Sequence, residues 1–371
     1  MRKRYINRGL LFISLFLIFA ASCKKDNKNN TQTTPAIATP TKLGIYESDS
    51  SIYKGLFIAV SKIGTSTVDY GLLFDTGSGG LVIDAAGVLP ASMITSSGFN
   101  FTGDSTVVNG ITITSQTSIV QYGNDATSLS KVYGNLAYAN VTVGDQQGTL
   151  NIVRLPFFIY YKAVDANGNK YKAHDFDVFG VSSEYDISFN NSSYITSPFS
   201  YFDPGNSLTK GFKMAALGTS QFSLSGTFVP DVITVGLTAN DLSSSSGFTM
   251  NQLTFYAGDG YAPVIYTTTT YNTTKIVSTA AIFDTGTEPY SYIEDKNAAT
   301  SLALLPQNTP VSVRTTSGFT YSYTTTPTEN LTYIENPTST GASISIVSLE
   351  YFLTSEYLLD YTNHQIGLKN N

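Results

Sequence analysis

The stretch "LLFDTGSGGLVI" (residues 72–83) places one acidic side chain, Asp75, inside an apolar run. An unpaired charge is costly to bury, so this carboxylate either reaches solvent at a turn or is held in place for a purpose. A second stretch, "AAIFDTGTEPYSYI" (residues 280–293), repeats the pattern around Asp284. In both, an apolar run ends in Asp-Thr-Gly followed by a hydroxyl residue, which predicts two equivalent strand-to-turn corners.

The two corners lie 209 residues apart, roughly the length of one domain. This spacing favours two related halves that face each other, with Asp75 and Asp284 within hydrogen-bond reach. Two carboxyls that close cannot both ionise easily, so they share a proton over a wide pH range. One is then a base and the other an acid, which suits general acid–base chemistry on a bound water.

The residues that follow the two carboxyls form three matched pairs: Thr76 with Thr285, Gly77 with Gly286, and Ser78 with Thr287. The glycines would let the backbone approach the carboxyls closely, with N–H groups directed at them. The threonines of the first pair would tie the two loops together by side-chain to backbone hydrogen bonds. The hydroxyls of the third pair would orient the carboxyls.

The rest of the chain favours an all-β fold. It has 371 residues, of which 42% are hydrophobic, so a large core and two domains are expected. Tyr (25) and Phe (22) are abundant, and strand-length runs of β-branched and aromatic residues alternate with Gly, Asn, Asp and Ser. One segment (residues 294–305) predicts a helix instead, with Asp295 as its N-cap and Pro306 as its stop.

Charge and histidine content exclude several classes of function. The formal net charge is −6, and no basic cluster follows residue 31, so no nucleic-acid partner is expected. The two histidines, His174 and His364, stand in polar loop sequences without a serine nucleophile motif. No Cys/His cluster has metal-ligand spacing, so no metal is expected.

The N-terminus predicts export. Residues 1–22 have a basic start and an apolar run too short to span a bilayer comfortably, as in a signal peptide. The sequence "FAASC" resembles a bacterial lipobox, which implies cleavage before Cys23 and lipid attachment to its thiol. Residues 23–42 are polar and predict a flexible tether. The alternative is an ordinary secretory signal that is cut nearby.

Beyond the paired motifs, the sequence resembles the pepsin family (A1) of aspartic peptidases. The segment "YKGLFIAVSKIG" before the first motif is similar to the family's first hairpin. "SIVQYGN" places Tyr122 and Gly123 where the family has its flap tyrosine, and "DVFGVSSEY" is similar to the element that closes the first psi-shaped loop at Gly180. Residues 346–368 follow the family's terminal segment without a gap.

The resemblance implies a bilobal, pepsin-like double-psi barrel fold of acid proteases, with a first lobe at residues 43–238 that carries the flap and a second at residues 239–371. It implies an aspartic endopeptidase without metal or cofactor, for which shared-proton Asp pairs are the standard chemistry. Asp75 and Asp284 would activate the water, and Tyr122 would cover an extended polypeptide substrate. We expect a monomer anchored to the bilayer by its lipid, in the outer membrane or at the cell surface of a bacterium.

Three positions depart from the family pattern. Ser348 stands where the second lobe has Gly, Glu288 stands where a small or hydroxylated residue is usual, and Val82 stands where many members have Trp. These departures motivate an alternative, a non-catalytic surface-binding lipoprotein on the same scaffold. A structural or adhesion lipoprotein, the third class, predicts no open cleft.

Overall fold

The computed structural model describes residues 38–49, 54–123, 129–218, 222–299, 301–341 and 343–371. The predicted signal peptide, Cys23 and most of the predicted tether lie outside these residues. From Ala38 to Asn371 the chain forms one compact unit. Within the described ranges, no helix has the length and apolar character needed to cross a membrane.

Strands dominate the described residues, as the alternating sequence predicts. They are β1 (Thr41–Asp49), β2 (Lys54–Ile63), β3 (Ser66–Asp75), β4 (Gly79–Asp84), β5 (Ile94–Thr95), β6 (Gly98–Phe99), β7 (Ser105–Val108), β8 (Ile111–Tyr122), β9 (Ser130–Val143), β10 (Leu150–Val164), β11 (Val178–Val181), β12 (Ile187–Ser188), β13 (Tyr194–Ile195), β14 (Thr209–Met214), β15 (Thr227–Leu237), β16 (Thr249–Gln252), β17 (Phe255–Tyr256), β18 (Gly260–Tyr261), β19 (Ile265–Tyr271), β20 (Lys275–Phe283), β21 (Tyr290–Glu294), β22 (Leu302–Leu304), β23 (Pro310–Thr315), β24 (Thr320–Thr324), β25 (Leu331–Glu335), β26 (Ile344–Val347), β27 (Ser355–Asp360) and β28 (Gln365–Asn370).

Helices are short. They are α1 (Pro337–Thr340) and α2 (Glu350–Thr354), with 3-10 turns at Ala91–Met93, Pro198–Tyr201 and Ser244–Ser246. The predicted all-β class is therefore confirmed.

Two large sheets carry the fold. One has fourteen strands in the order β16-β28-β27-β14-β15-β1-β2-β3-β11-β4-β10-β9-β8-β7, and the other has eight in the order β22-β25-β21-β26-β20-β19-β23-β24. The C-terminal strands β27 and β28 join the first sheet through β14, so this sheet includes both ends of the described chain. The predicted lobe boundary at residue 238 stays a prediction.

The two Asp-Thr-Gly corners have the same sheet environment. In the first, β3 pairs in parallel with β11, so that Asp75 lies opposite Gly180, and β4 returns antiparallel to β11. In the second, β20 pairs in parallel with β26, so that Phe283 lies opposite Val347, and β21 returns antiparallel to β26. Asp75 is the last residue of β3, and Asp284 directly follows the last residue of β20. In both corners the next strand pairs antiparallel with the parallel neighbour of the first.

Buried aromatic side chains pack around the end of β3, next to Asp75. Phe74, which precedes Asp75, packs against Phe179, Phe199 and Phe212 with ring centroids 5.9–6.5 Å apart. All four side chains are almost completely inaccessible to solvent. Because buried aromatic side chains supply a large share of core stability, this cluster holds the end of β3 rigidly.

The predicted helix at residues 294–305 is wrong. This segment contains the end of β21, a turn and the short edge strand β22, which pairs with β25. Asp295 caps the turn by accepting from Asn297 N at 2.8 Å, and its other carboxyl oxygen accepts from the Tyr271 hydroxyl at 2.6 Å. Asp295 therefore acts as a cap, as predicted, but it caps a turn. Its bond to Tyr271 and the pairing of β22 with β25 favour this conformation over a helix.

Candidate active site

Asp75 and Asp284 meet where the two corners face each other. A Cβ atom added to Gly77 would lie 2.6 Å from the carboxyl carbon of Asp284, and one added to Gly286 would lie 2.9 Å from that of Asp75. Each glycine therefore lies against the opposite carboxyl, where no side chain fits. The two carboxyls themselves are close enough to share a hydrogen bond.

Both carboxyls accept hydrogen bonds from their own loops, and the two sets are equivalent. In each loop the backbone N–H two residues after the aspartate donates to Oδ1 at 2.8 Å, and the hydroxyl three residues after it donates to Oδ2. The donors are Gly77 and Ser78 for Asp75, and Gly286 and Thr287 for Asp284. These bonds orient both carboxyl groups toward each other.

Thr76 and Thr285 lock the two loops together by crossed hydrogen bonds. The backbone N–H of each threonine donates to the hydroxyl of the other, at 3.0 Å in both directions. Each hydroxyl in turn donates across the boundary, Thr76 to Phe283 O at 2.8 Å and Thr285 to Phe74 O at 2.6 Å. Both threonines are 1% exposed, so water cannot replace these four bonds.

The electrostatic environment favours a proton on the pair. Asp284 is buried, and burial raises its pKa well above the usual range for aspartate. The charge of the neighbouring Asp75 raises it further, while the Thr287 hydroxyl acts in the opposite direction. Asp75 is half-buried. Asp284 is the more deeply buried of the two carboxyls, so burial favours a proton on Asp284.

A cleft of about 750 Å³ opens over the pair. Both Asp-Thr-Gly loops line it, together with Tyr122 and Gly123 from the β8–β9 hairpin. Its remaining walls are mixed. The apolar part includes Phe57, Leu73, Phe176, Val178, Ile282 and Ile346, and the polar part includes Gln121, His174, Asp175, Asp177 and Glu288. Apolar side chains beside two convergent carboxyls are a common lining of small-molecule and peptide sites.

Tyr122 ends β8, and its side chain is half-buried at the cleft. Burial raises the pKa of its hydroxyl, and the nearby charge of Asp75 raises it further, so the phenol remains a neutral hydrogen-bond donor. Phe176, which no sequence motif identifies, stacks its ring on Tyr122 with centroids 5.7 Å apart. Its place just before the strand with Gly180 was the only signal available in the sequence.

Ser348 is accommodated without disturbing the second corner. Its side chain is fully buried, its backbone N–H donates to Ser291 Oγ at 3.1 Å, and the Ser291 hydroxyl donates to Ser348 Oγ at 3.2 Å. The parallel pairing of Phe283 with Val347 stays intact just before it. The extra hydroxyl therefore has a partner, and Ser291 supplies it.

Glu288 adds a further carboxyl to the cleft. It lines the cleft, and its Oε2 is buried with no hydrogen-bond partner among the described residues. Burial raises its pKa to about 8, with a further rise from Glu350 that Lys54 opposes. Lys54 itself forms an ion pair with Glu350 at 2.9 Å. Within the described ranges, no group of three or more His, Cys, Asp or Glu side chains is placed to hold a metal ion.

By structure, the chain is similar to the aspartic proteinase from Irpex lacteus. The TM-score is 0.56, and the alignment covers 89% of this chain and 97% of that one at 18% sequence identity. No protein-family model matches the sequence, and no curated protein matches it. The structural likeness shows the fold: this is the bilobal all-β fold of pepsin-like aspartic proteinases, as the sequence predicted.

The crossed threonine bonds generate a first prediction. Thr76→Val keeps the side-chain shape but leaves the buried Thr285 N–H and Phe283 carbonyl without their partners. We expect the free energy of unfolding to fall by about 2–4 kcal/mol, because each orphaned buried group costs about 1–3 kcal/mol. Denaturant unfolding measures this, with Thr268→Val on the exposed face of β19 as the matched control. Equal small losses in both variants would contradict the account.

The buried glutamates generate a second prediction. Glu47 in β1 is fully buried with neither oxygen partnered among the described residues, and burial raises its pKa from 4.5 to about 7. The folded protein keeps this proton, and that of Glu288, at pH values where the unfolded chain has released them. The free energy of unfolding should therefore fall as the pH rises from about 4.5 to about 8.

Urea unfolding at a series of pH values checks this dependence. Glu47→Gln removes one titrating group and should flatten the fall, whereas Glu329→Gln on the exposed surface should leave it unchanged. A stability that rises over the same pH range, or a slope that Glu47→Gln does not alter, would show that these carboxyls are already ionised in the folded protein.

Proposed function

We propose that the protein is an aspartic endopeptidase. The observation that carries the proposal is the pair of symmetric loops that hold Asp75 and Asp284 in contact at the floor of an open cleft. A water bound between the carboxyls would lose a proton to the ionised one and attack the peptide carbonyl carbon. The protonated carboxyl would give its proton to the carbonyl oxygen, which leaves a tetrahedral diol on the substrate.

The second half of the reaction restores the pair. The carboxyl that took the water proton would deliver a proton to the amide nitrogen as the C–N bond breaks, and the diol would return a proton as it collapses to the new carboxyl group. No covalent intermediate with the enzyme is needed. In the ground state we assign the proton to Asp284, because it is the more deeply buried carboxyl.

The substrate would be a polypeptide in extended conformation. Main-chain hydrogen bonds to the cleft walls would hold it, and the apolar lining would receive its side chains. Tyr122 and Gly123, at the end of β8, would cover the bound segment. Thr76, Gly77 and Ser78 with their counterparts in the second loop would support the carboxyls rather than contact the peptide.

We further propose that the protein acts outside the cytoplasm as a monomer. The support is the sequence of residues 1–22 and the lipobox-like site at Cys23, which together predict a bacterial lipoprotein anchored to the outer membrane or cell surface. The acidic net charge fits a protein without nucleic-acid partners. The chemistry proposed for the pair requires neither metal nor cofactor.

The activity has a direct test. Asp284→Asn and Asp75→Asn keep the shape of each side chain but remove its acid–base function, so each should lower the rate of peptide hydrolysis at least about 10²-fold. Cleavage of unfolded protein is measured between acid and neutral pH, with and without a pepstatin-like inhibitor. Asp69→Asn, an exposed strand residue, is the control. Equal rates in the wild type and Asp284→Asn, or no cleavage by either, would contradict the proposal.

One observation favours a second candidate, a binding protein that does not cut. Glu288 adds a carboxyl to the cleft and leaves one buried oxygen unpartnered in the described part of the chain. If the wild type does not cleave but binds peptides, and Asp284→Asn binds them equally well, the binding function is the better one. The open cleft itself argues against a purely structural lipoprotein.

A further inference from the structure

The loop at residues 170–177 contacts both strands of the β8–β9 hairpin, which we call the flap hairpin. We call residues 170–177 the flap clip. Phe176 stacks on Tyr122 of β8 with centroids 5.7 Å apart and ring planes 28° apart. Tyr171 hydrogen-bonds through its hydroxyl to the Ser130 hydroxyl of β9 at 2.9 Å. Tyr122 and Ser130 are directly opposite each other in the β8–β9 hairpin. The flap clip therefore contacts both members of one cross-strand pair.

The two aromatic residues of the flap clip also support each other. The Tyr171 ring packs edge-on against Phe176 with centroids 4.7 Å apart. Tyr122 and Phe176 both pack on an apolar cluster that includes the fully buried Val82, whose side chain offers apolar contact and no hydrogen bond. Ring stacking is therefore the directional contact that these neighbours provide for Tyr122.

Hydrogen bonds join the flap clip to β4, the strand that follows the Asp75 loop. Asp177 accepts from Asp84 N at 2.8 Å, and its other oxygen lies 2.8 Å from His174 Nδ1. His174 N donates to the Asp84 carboxylate at 3.1 Å. Asp84 and Asp177 are both buried, and Asp84 ends β4, which begins at Gly79 directly after Ser78. A short chain of contacts thus joins the hairpin to the support of Asp75.

We propose that Phe176 is a positioning residue, whose ring sets the place of Tyr122 over the cleft and orders the hairpin around it. The consequence for turnover rests on the proposed peptidase function. The consequence for the order of the hairpin rests only on the contacts. Phe176 itself lines the cleft, and we expect it to act through its stacking on Tyr122. Loss of its ring should therefore affect hydrolysis without any change to Asp75 or Asp284.

The experiment combines amide hydrogen exchange in β8 and β9 with steady-state peptide hydrolysis. Phe176→Ala should speed exchange near Tyr122 and Ser130 about five- to tenfold and lower kcat/KM by a similar factor, as expected for the loss of one aromatic pair. Phe176→Tyr, which keeps the stacked ring, should restore both. Phe176→Leu, which keeps bulk without stacking, should restore neither.

Two further variants keep the test decisive. Phe255→Ala removes an exposed ring that packs on Tyr261 at 5.2 Å and should change neither readout. Tyr171→Phe removes only the hydroxyl that bonds Ser130, so it should speed exchange in β9 even if Phe176→Ala does not fold.

Unchanged exchange in folded Phe176→Ala would overturn the proposal, as would equal exchange and equal kcat/KM in Phe176→Leu and Phe176→Tyr. Faster exchange with an unchanged kcat/KM would overturn the role of Phe176 in turnover. A wild type that fails to cleave would instead overturn the proposed function, and hydrogen exchange alone would then decide whether Phe176 positions the hairpin.

Discussion

The crossed hydrogen bonds between Thr76 and Thr285 are the constraint on which the site depends. They join the ends of β3 and β20, which belong to different sheets. Two carboxyl groups in contact repel when both are charged, so nothing in the acids themselves would bring these loops together. The threonine lock, with the close approach that Gly77 and Gly286 permit, holds the carboxyls at a distance where sharing a proton is the favourable state.

The same preference for retained protons extends beyond the pair. Glu47 in the sheet and Glu288 at the cleft are both held in surroundings that raise their pKa, and in both the first cause is burial. These two carboxyls therefore stabilise the folded state at pH values where they keep their protons. Burial is also the first cause of the raised pKa of Asp284, so the same physical effect acts on the scaffold and on the site.

Features encoded locally could be predicted from the sequence. Each Asp-Thr-Gly motif has a strand, a turn and a supporting hydroxyl residue within a few positions of it. The repetition of the motif predicted that two such corners face each other. The resemblance of the flanking segments predicted the bilobal fold, which the structure shows. The lipid anchor at Cys23 and the lobe boundary remain predictions, since nothing in the described residues tests them.

Features that depend on distant partners could not be predicted. The sequence predicts Asp295 as a helix N-cap, but in the structure its carboxylate accepts a hydrogen bond from Tyr271 of β19. Ser348 looks disruptive until Ser291 is seen to supply a partner, and Phe176 is unremarkable in sequence because its contact with Tyr122 arises only when the chain folds. In each case a contact between distant segments decided the outcome over the local pattern.

The central claim, that Asp75 and Asp284 share a proton, is tested most directly by carboxyl-carbon NMR of protein with labelled aspartate across the pH range. The account predicts that the Asp284 carboxyl titrates well above the usual aspartate range in the wild type. In Asp75→Asn its apparent pKa should fall, because the neighbouring charge is gone. Two carboxyls that titrate in the ordinary range, each indifferent to the loss of the other, would contradict the account.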